Sequence, residues 1–343
     1  MNILSLREDE LIKILLKRDF KAFRVKQIFE WIYQKKASSF DEMTNLPLDI
    51  RSFLNKNFKL YSLKLKDKQI SIDEETKKYL FELEDGYLIE TVLILSEKRR
   101  TICVSTQVGC SIRCTFCASG KKGFFRDLKA FEIIEQIIHI TKDTNQSPTH
   151  IVFMGMGEPL LNLDELVRSI EIISHEKYLK ISQRRITIST VGVLENIKKL
   201  KEKNLKCNLA LSLHAPTDEI RNKIMPYTKK YKLKDILKEL QSYQDKTKRD
   251  ISFEYILIEN INDSLSHAKE LFYLLKNFQC SINLIPYNPI DGLNYKRPQN
   301  DRIKKFKSYL IAQKLNVFQR YSKGNDISAS CGQLALRDKS NIL

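Results

Sequence analysis

Three cysteines stand close together in the chain, Cys110, Cys114 and Cys117, at spacings of four and three residues. Three thiolates alone do not complete a four-coordinate zinc site. They can hold three irons of a cubane [4Fe–4S] cluster and leave the fourth iron open, whereas such clusters normally take four thiolates. A zinc site completed by a distant ligand, or three unconnected thiols, would also fit this spacing. No His or Cys stands between Cys117 and His139 to supply the missing zinc ligand.

A second polar group follows the predicted strand His150–Met154, in the run Gly155-Met-Gly157-Glu158. Glycines let a backbone approach a ligand closely, and the Glu158 carboxylate could bind an ammonium group. An ordinary strand–turn–helix connection explains Asn162, which forms a capping-box pattern with Glu165 at the start of the next helix. It does not explain the two glycines together with Glu158.

Two cysteines outside this triad, and one glutamate, also stand in suggestive places. Cys331 lies in a run of small residues near the C-terminus, although a lone Cys is usually a small buried hydrophobe. Cys103 lies in a predicted strand, seven residues before Cys110. Glu90 interrupts an otherwise apolar strand, where the plainest interpretation is that it faces solvent on the alternate side.

The elements that must position these residues alternate after residue 100. Six strands are each followed by an amphipathic helix, which predicts parallel strands with helical crossovers. Six units fit an incomplete TIM-like barrel better than a closed one, and an open doubly wound sheet is also compatible with the periodicity. The predicted strands are Thr101–Ser105, His150–Met154, Arg185–Ser189, Cys207–Ser212, Ile251–Ile256 and Ser281–Ile285, with helices near 129–142, 163–175, 193–203, 217–245, 264–277 and 299–314.

Polar residues fall at the carboxyl ends of these predicted strands. That edge is where parallel α/β folds build their active sites. A strand-end Ser alone is more often a helix cap, and a lone His is more often structural, so the common position of these residues is the informative feature. They are Cys110, Gly157, Glu158, Ser189, His214 and Asn288, with Ser212 and Leu213 beside His214.

The chain before the barrel has two parts. Residues 1–60 have helical periodicity and carry 12 Lys and Arg against 8 acidic residues, which indicates either a solvated helical face or an RNA-binding module. Residues 61–100 switch to a period of two and contain the turn Asp85-Gly86, which predicts a β-hairpin extension. We expect the barrel at 101–320, and a catalytic loop and tail at 321–343.

Composition sets broad limits on function. The formal charge of +17, from 59 Lys and Arg against 42 Asp and Glu, favours a polyanionic partner, although abundant lysine alone is a weak indicator. No apolar run is long enough to span a membrane, and the acidic N-terminus is unlike a secretory signal, so we expect a cytoplasmic protein without a membrane partner. Seven cysteines, an odd number, argue against a disulfide framework.

The cysteine triad with Phe116 inside it, followed by the Gly155–Glu158 run, resembles the radical S-adenosylmethionine (SAM) enzymes. The C-terminal run Asp326–Leu334 resembles one branch, the RlmN/Cfr family of RNA methyltransferases. This second resemblance covers nearly the whole chain. The segments that match, in order, are Phe23–Tyr33, Glu90–Val92, Cys103, Gly155–Asn162, Ser212–Pro216, Ile285–Pro289 and Cys331–Leu334.

The resemblance implies a partial (β/α)6 barrel with an N-terminal helical RNA-binding domain. It implies one [4Fe–4S] cluster held by the cysteine triad, with SAM bound at the open iron. SAM would also contact Gly157, Glu158, Ser189, the residues Ser212, Leu213 and His214, and Asn288.

The resemblance also implies a reaction. Cys331 would accept a methyl group from one SAM, and a radical made from a second SAM would activate that methyl for addition to adenine. Glu90 would remove the ring proton, and Cys103 would release the product by forming a disulfide with Cys331. The partners implied are 23S rRNA and tRNA, with a flavodoxin- or ferredoxin-type reductant, and a monomer is expected.

The two branches of the family differ in the carbon they methylate. RlmN members act on C2 of adenine 2503 in 23S rRNA and of adenine 37 in some tRNAs, whereas Cfr members act on C8 of the same rRNA base. Pro159 after Glu158 favours C2, because the Cfr branch tends to have Ala there. Lys323 and Ser330 depart slightly from the family pattern, which commonly has Arg and Ala.

Two functions outside this branch are also compatible with the sequence. One is a basic RNA-binding module with a structural metal, which would need a fourth metal ligand near the cysteines. The second is a radical SAM enzyme that acts on a small molecule, which would leave the basic N-terminal helices without a purpose.

Overall fold

The structure is a computed structural model that describes residues 1–320 and 323–334. It begins with three short helices, α1 (Glu8–Leu16), α2 (Arg24–Phe29) and α3 (Leu48–Asn57), and α2 continues into one π-helical turn at Glu30–Gln34. Their apolar residues recur every three or four positions, so each helix buries one stripe in a shared core. These buried residues include Leu11, Leu15, Val25, Ile28, Ile32, Ile50 and Leu54.

Three antiparallel strands follow, β1 (Lys64–Ile70), β2 (Thr76–Glu82) and β3 (Leu88–Ser96). The predicted hairpin forms between β2 and β3, and Gly86 in its turn has φ of +81°, a conformation that glycine adopts without strain. The sequence does not predict strand β1, because charged residues occupy both of its faces.

Strand β3 pairs antiparallel with β4 (Arg99–Cys103), the first strand of the barrel. Next come β5 (Gln107–Gly109), α4 (Ala118–Lys121) and β6 (Phe124–Asp127), in which β5 and β6 form a separate two-stranded sheet. The predicted cluster loop lies between these two strands. Helix α5 (Ala130–Thr144) then returns the chain to the main sheet.

The remaining chain alternates strands and helices. The elements are β7 (His150–Phe153), α6 (Leu163–Ser174), β8 (Ile186–Thr190), α7 (Leu194–Glu202), β9 (Asn208–Ser212), α8 (Asp218–Ile224), α9 (Leu233–Thr247), β10 (Ile251–Leu257), α10 (Leu265–Leu275), β11 (Cys280–Pro286), α11 (Asn300–Ala312) and β12 (Asn316–Gln319). From β4 through β7 to β12, every neighbouring pair is parallel and follows chain order. A doubly wound sheet would reverse its order at a switch point, so the architecture is that of an incomplete barrel.

Two details of this barrel differ from the sequence-based expectation. The helix predicted at 217–245 is two helices, α8 and α9, separated by a 3-10 turn at Pro226–Lys230. Pro226 lacks a backbone N–H and cannot continue an α-helix. The barrel also has a seventh parallel strand, β12, which lies at the edge of the sheet.

A buried carboxylate is one of the contacts that join the N-terminal segment to the barrel. Glu135 on α5 accepts hydrogen bonds from the backbone N–H groups of Ser62 and Leu63, both at 2.7 Å, and from the Asn2 side chain. Nearby, the His139 ring packs against Tyr61 and Phe81. Within residues 1–320 and 323–334, no helix combines the length and apolar character needed to cross a membrane.

Candidate active site

The loop that carries the cysteine triad has a tightly fixed backbone. The N–H of Cys110 donates to the Gly123 carbonyl at 2.8 Å. Gly109 has φ of +76°, and a Cβ built there would lie 2.0 Å from the Gly123 oxygen, so only glycine fits. The Thr115 N–H donates to the Ile224 carbonyl at 2.9 Å, which ties the loop to the end of α8. These contacts position the triad between the small sheet and the barrel.

The three thiols of the triad lie in one loop. Cys110, Cys114 and Cys117 are all free and half-buried. Across the described ranges, 1–320 and 323–334, no three His, Cys, Asp or Glu side chains converge on a point that could hold one metal ion. A cubane would take each thiolate on a different iron. Burial raises the pKa of Cys110 to about 12, and bound iron would favour the thiolate form.

Glu158 lies at the carboxyl end of β7 and is buried. Its carboxylate accepts hydrogen bonds from the backbone N–H groups of Leu160 at 3.1 Å and Val191 at 2.9 Å. Burial raises the pKa of Glu158 to about 7, against the lowering effect of these bonds. Gly157 has φ of +103°, and a Cβ there would lie 2.6 Å from the Gln107 side chain. The glycine therefore lets this turn pack against β5, next to the cluster loop. The Glu158 carboxylate can accept further hydrogen bonds.

The ends of β8 and β9 bring further predicted residues to the same rim. The hydroxyls of Ser189 and Ser212 lie 3.3 Å apart, and the Leu213 N–H donates to the Glu254 carbonyl at 3.0 Å. His214 has φ of +58°, and its Nδ1 accepts from the Ile256 N–H at 3.1 Å.

The His214 ring also meets the cluster loop. It packs edge-on against Phe116, with centroids 5.1 Å apart. Burial lowers the pKa of His214 to about 3, so the ring is neutral at pH 7. Because Nδ1 is an acceptor, the ring proton is on Nε2, where it can be donated to a ligand.

Cys331 lies in the C-terminal segment that docks on this rim. The Ala118 N–H donates to the Gly332 carbonyl at 2.8 Å, and the Ser119 hydroxyl donates to the Leu334 carbonyl at 2.6 Å. Asn288, beyond the end of β11, donates its side-chain amide to the Cys331 carbonyl at 3.3 Å. The segment is therefore held against the residues that follow Cys117. Of the element predicted at 321–343, residues 321–322 and 335–343 lie outside the described residues.

Cys103 and Glu90 lie on the inner face of the sheet. Cys103 on β4 is directly opposite Val92 on β3, and Glu90 is two residues along the same strand, so both side chains share one face. Glu90 is only 1% exposed, and the interpretation that it faces solvent is therefore wrong. Burial raises the pKa of Cys103, and the nearby Cys331 raises it further. The two cysteines are therefore close enough to interact electrostatically.

Two buried cations near this site have no signal in the sequence. Lys78 on β2 lies 3.5 Å from a Glu90 carboxylate oxygen. Arg221 on α8 is fully buried and donates to the Leu213 carbonyl at 3.1 Å and to the Val191 carbonyl. No local pattern marks either residue, because their partners lie on other elements of the fold.

The rim also has polar atoms that suit a polar cofactor. Among the described residues, three buried atoms here have no hydrogen-bond partner: Ser111 Oγ in the cluster loop, Arg221 Nη1 and Tyr287 Oη. Arg221 interacts electrostatically with Cys114, and Tyr287 with Cys117. A zwitterionic ligand with hydroxyl groups, such as SAM, would fit beside these donors and acceptors.

Comparison with known families identifies the superfamily to which the chain is similar. A model of the radical SAM superfamily matches residues 104–271, and a model of the ribosomal RNA large subunit methyltransferase N-terminal domain matches residues 1–60. A solved structure, described as a radical SAM methyltransferase from Sphaerobacter thermophilus, is 38% identical. It superposes with a TM-score of 0.94 over 97% of this chain and 99% of that one.

Curated relatives align over almost the full chain. One from Protochlamydia amoebophila, a probable dual-specificity RNA methyltransferase RlmN 2, is 51% identical over 99% of this chain and 96% of its own length. Another from Thermotoga maritima, a probable dual-specificity RNA methyltransferase RlmN, is 44% identical over 98% of both chains. A [4Fe–4S] cluster and SAM are the cofactors of this superfamily. The chain belongs to the RlmN family of radical SAM RNA methyltransferases.

Proposed function

We propose that this enzyme methylates C2 of adenine 2503 in 23S rRNA and C2 of adenine 37 in tRNA, through a methyl group carried by Cys331. The observation that supports this proposal is the docking of the Cys331 segment on the residues that follow Cys117, through the hydrogen bond from the Ala118 N–H to the Gly332 carbonyl. Cys103 is close enough to Cys331 to interact with it electrostatically. A methyltransferase that used SAM directly would need neither a second thiol nor a docked cysteine segment.

Each residue of the site has a task in this proposal. Cys110, Cys114 and Cys117 hold the cluster. The SAM-binding residues are those on the rim: Gly157, Glu158, Ser189, Ser212, Leu213, His214 and Asn288. When bound, the cluster and SAM supply a radical that takes a hydrogen atom from the S-methyl group of Cys331.

The remaining steps belong to the protein's own side chains. The carbon on Cys331 bonds to adenine C2, which is electron-poor and would not attack SAM itself. The adduct then holds one unpaired electron, which would return to the oxidised cluster, and Glu90 accepts the C2 proton. The Cys103 thiolate then attacks the Cys331 sulfur, the sulfur–carbon bond breaks, and its electron pair leaves with the product as an enamine that takes up a proton. The Cys103–Cys331 disulfide that results must be reduced by two electrons before the next cycle.

The N-terminal helices offer a surface for RNA. The guanidinium of Arg24 lies 4.7 Å from the centre of the Phe23 ring, which is 53% exposed, and the Lys35 ammonium lies 4.0 Å from the Trp31 ring. Trp31 is half-buried, whereas the Phe23 ring is exposed. An exposed aromatic ring beside a cation can stack on a base while the cation pairs with a phosphate. These pairs support an RNA substrate over a small molecule.

Several finer points are part of the proposal. Pro159 after Glu158 supports C2 over C8 as the methylated carbon. We propose a flavodoxin- or ferredoxin-type protein as the electron donor, a monomeric enzyme, and a cytoplasmic location, where both RNA substrates are found. All seven cysteines are free in the structure, so the proposed disulfide is a transient product of turnover.

The test uses a strain that lacks this protein. Mass spectrometry of nucleosides from its 23S rRNA and tRNA should show loss of 2-methyladenosine, and a plasmid copy of the gene should restore it. Loss of 8-methyladenosine instead would assign the C8 reaction. An unchanged nucleoside profile in both RNAs would contradict the proposal.

A further inference from the structure

Lys78 is a buried cation to which the proposed reaction gives no task. It lies in the middle of β2, where its side chain is 4% exposed. In the sheet it is directly opposite Val92, and Val92 is directly opposite Cys103. Residues directly opposite one another point to the same face. Lys78, Glu90 and Cys103 therefore all face the interior of the barrel.

The Lys78 ammonium bridges two parts of the site. It lies 3.5 Å from Glu90 Oε1, and it donates to the carbonyl oxygen of Ser328 at 3.3 Å. Ser328 has φ of +50° and stands three residues before Cys331. One side chain thus contacts both the proposed base and the segment that carries the methyl group.

Other contacts between this segment and the antiparallel strands lie nearer the surface. Asp326 accepts a hydrogen bond from the Ile72 N–H at 2.8 Å, and Lys323 donates to the Leu95 carbonyl at 2.9 Å while pairing with Glu75. Exposed ion pairs contribute little because water competes for both charges. The Lys78–Glu90 pair is shielded from water on both sides, so its two charges interact more strongly than those of an exposed pair.

We propose that Lys78 is a positioning residue that holds Glu90 and the Cys331 segment in a fixed relation during proton removal. The inference rests on the proposed function, because it needs Glu90 as the base and Cys331 as the carrier. After the carbon on Cys331 has bonded to C2, the C2–H bond must break. Its proton goes to Glu90, its electron pair restores the aromatic ring of the adenine, and the unpaired electron of the adduct would return to the oxidised cluster. A displacement of about 1 Å of such a group typically costs on the order of 100-fold in rate.

The experiment follows the covalent RNA–protein adduct in a single turnover. Enzyme already methylated at Cys331, with reduced cluster and SAM, is mixed with a labelled RNA fragment containing adenine 2503. Samples quenched in denaturant are run on gels to measure protein-bound RNA over time. Wild type should form a transient adduct, and Glu90→Gln should accumulate it. Lys78→Met should form the adduct but release it about 10 to 100 times more slowly than wild type.

Two further variants make the result specific to the Lys78 charge. Lys77→Met removes the same charge from the neighbouring residue, which faces the other side of the sheet, and should release the adduct at the wild-type rate. Lys78→Arg keeps the cation and should stay within about threefold of wild type, since Arg can also bridge a carboxylate and a carbonyl.

The possible results separate the inference from the proposed function. Wild-type release by Lys78→Met, while Glu90→Gln still accumulates adduct, would overturn the role of Lys78 alone. Equal slowing in Lys78→Met and Lys78→Arg would also overturn it, by showing that packing matters and charge does not. If Lys78→Met does not carry the S-methyl group after prolonged incubation with SAM, the proposed role of Lys78 is also contradicted. In the inference Lys78 acts only after the methyl group is on Cys331. Absence of any adduct in Glu90→Gln would contradict the proposed function instead.

Discussion

The backbone N–H of Ala118 donates a hydrogen bond of 2.8 Å to the carbonyl oxygen of Gly332. Ala118 follows the last cysteine of the triad, and Gly332 follows Cys331. This one bond therefore joins the cluster loop to the segment with the proposed methyl carrier, across more than 200 residues of chain. A radical formed at the cluster would therefore arise next to the proposed methyl carrier.

The first prediction concerns the cluster. Cys114→Ser should lose the bound iron and the cleavage of SAM together, because a serine oxygen is a poor replacement for a thiolate on iron. Iron and sulfide analysis, with absorbance spectra of anaerobically prepared protein, measures the bound cluster. Formation of deoxyadenosine measures the cleavage of SAM. Cys280→Ser, at the start of β11, is the control and should keep both. Tightly bound zinc in colourless wild-type protein would contradict the radical mechanism.

The second prediction concerns Cys331. Protein from cells that make SAM should carry one additional methyl group on this residue, because the proposed carbon donor is a thioether. Peptide mass spectrometry locates the methyl, and Cys331→Ala should lack it along with RNA methylation. The scheme is wrong if Cys331→Ala still methylates RNA.

The third prediction concerns Cys103. Cys103→Ala should stall with RNA attached covalently through Cys331, because no other thiol is positioned to attack that sulfur in the proposal. A denaturing gel should show a shifted band that ribonuclease collapses. Cys207→Ala removes another buried cysteine and should give no shift. A single unshifted band for Cys103→Ala, with normal formation of methylated RNA, would show that Cys103 contributes only to packing.

The fourth prediction concerns the junction at Glu135. Glu135→Leu leaves the buried N–H groups of Ser62 and Leu63 without their acceptor, at a cost of about 1–3 kcal/mol for each. We expect the urea concentration at the midpoint of unfolding to be clearly lower than in wild type. The control is Glu171→Leu on the exposed face of α6, which should change the urea midpoint little. Equal midpoints for the two variants would show that the junction does not depend on this carboxylate.

The fifth prediction concerns pH. Burial, with a smaller contribution from the Lys142 charge, lowers the pKa of His139 to about 4, so the unfolded chain binds a proton on this ring at higher pH than the folded protein does. Stability from this residue is complete above about pH 6.5 and is lost as the pH falls toward 4. His139→Phe should therefore lose less stability than wild type between pH 7 and pH 5. Parallel pH profiles of the two urea midpoints would contradict this.

The barrel strands could be predicted from sequence because most of them are short apolar runs between amphipathic helices. Strands β1 and β12 were not predicted for a physical reason. Neither has an apolar run, and among the described residues both lie at the edges of the sheet, with a partner strand on one side only. The capping box expected at Asn162 is also absent. Its side chain instead donates to the carbonyls of Thr106 and Leu128, and Glu165 accepts from the Ala130 N–H.

Much of the site was accessible from sequence only because motifs mark it. The triad, the Gly155–Glu158 run and Cys331 stand in recognisable patterns. Lys78 and Arg221 do not, because each is defined by partners that only folding brings close: Glu90 and Ser328 for Lys78, and the ends of β8 and β9 for Arg221. The chain has 59 Lys and Arg, and nothing in the local sequence distinguishes these two residues from the others.

The row formed by Lys78, Val92 and Cys103 also limits which insertions and deletions the gene can tolerate. Side chains alternate between the faces of a sheet, so losing one residue within β3 would turn Glu90 or its neighbours toward α5 and out of the barrel. The turn at Glu97 and Lys98 is exposed and lies between paired strand ends, so a change of length there leaves the ladder intact. Length variation among related genes should therefore collect in that turn and be absent from the strands on either side of it.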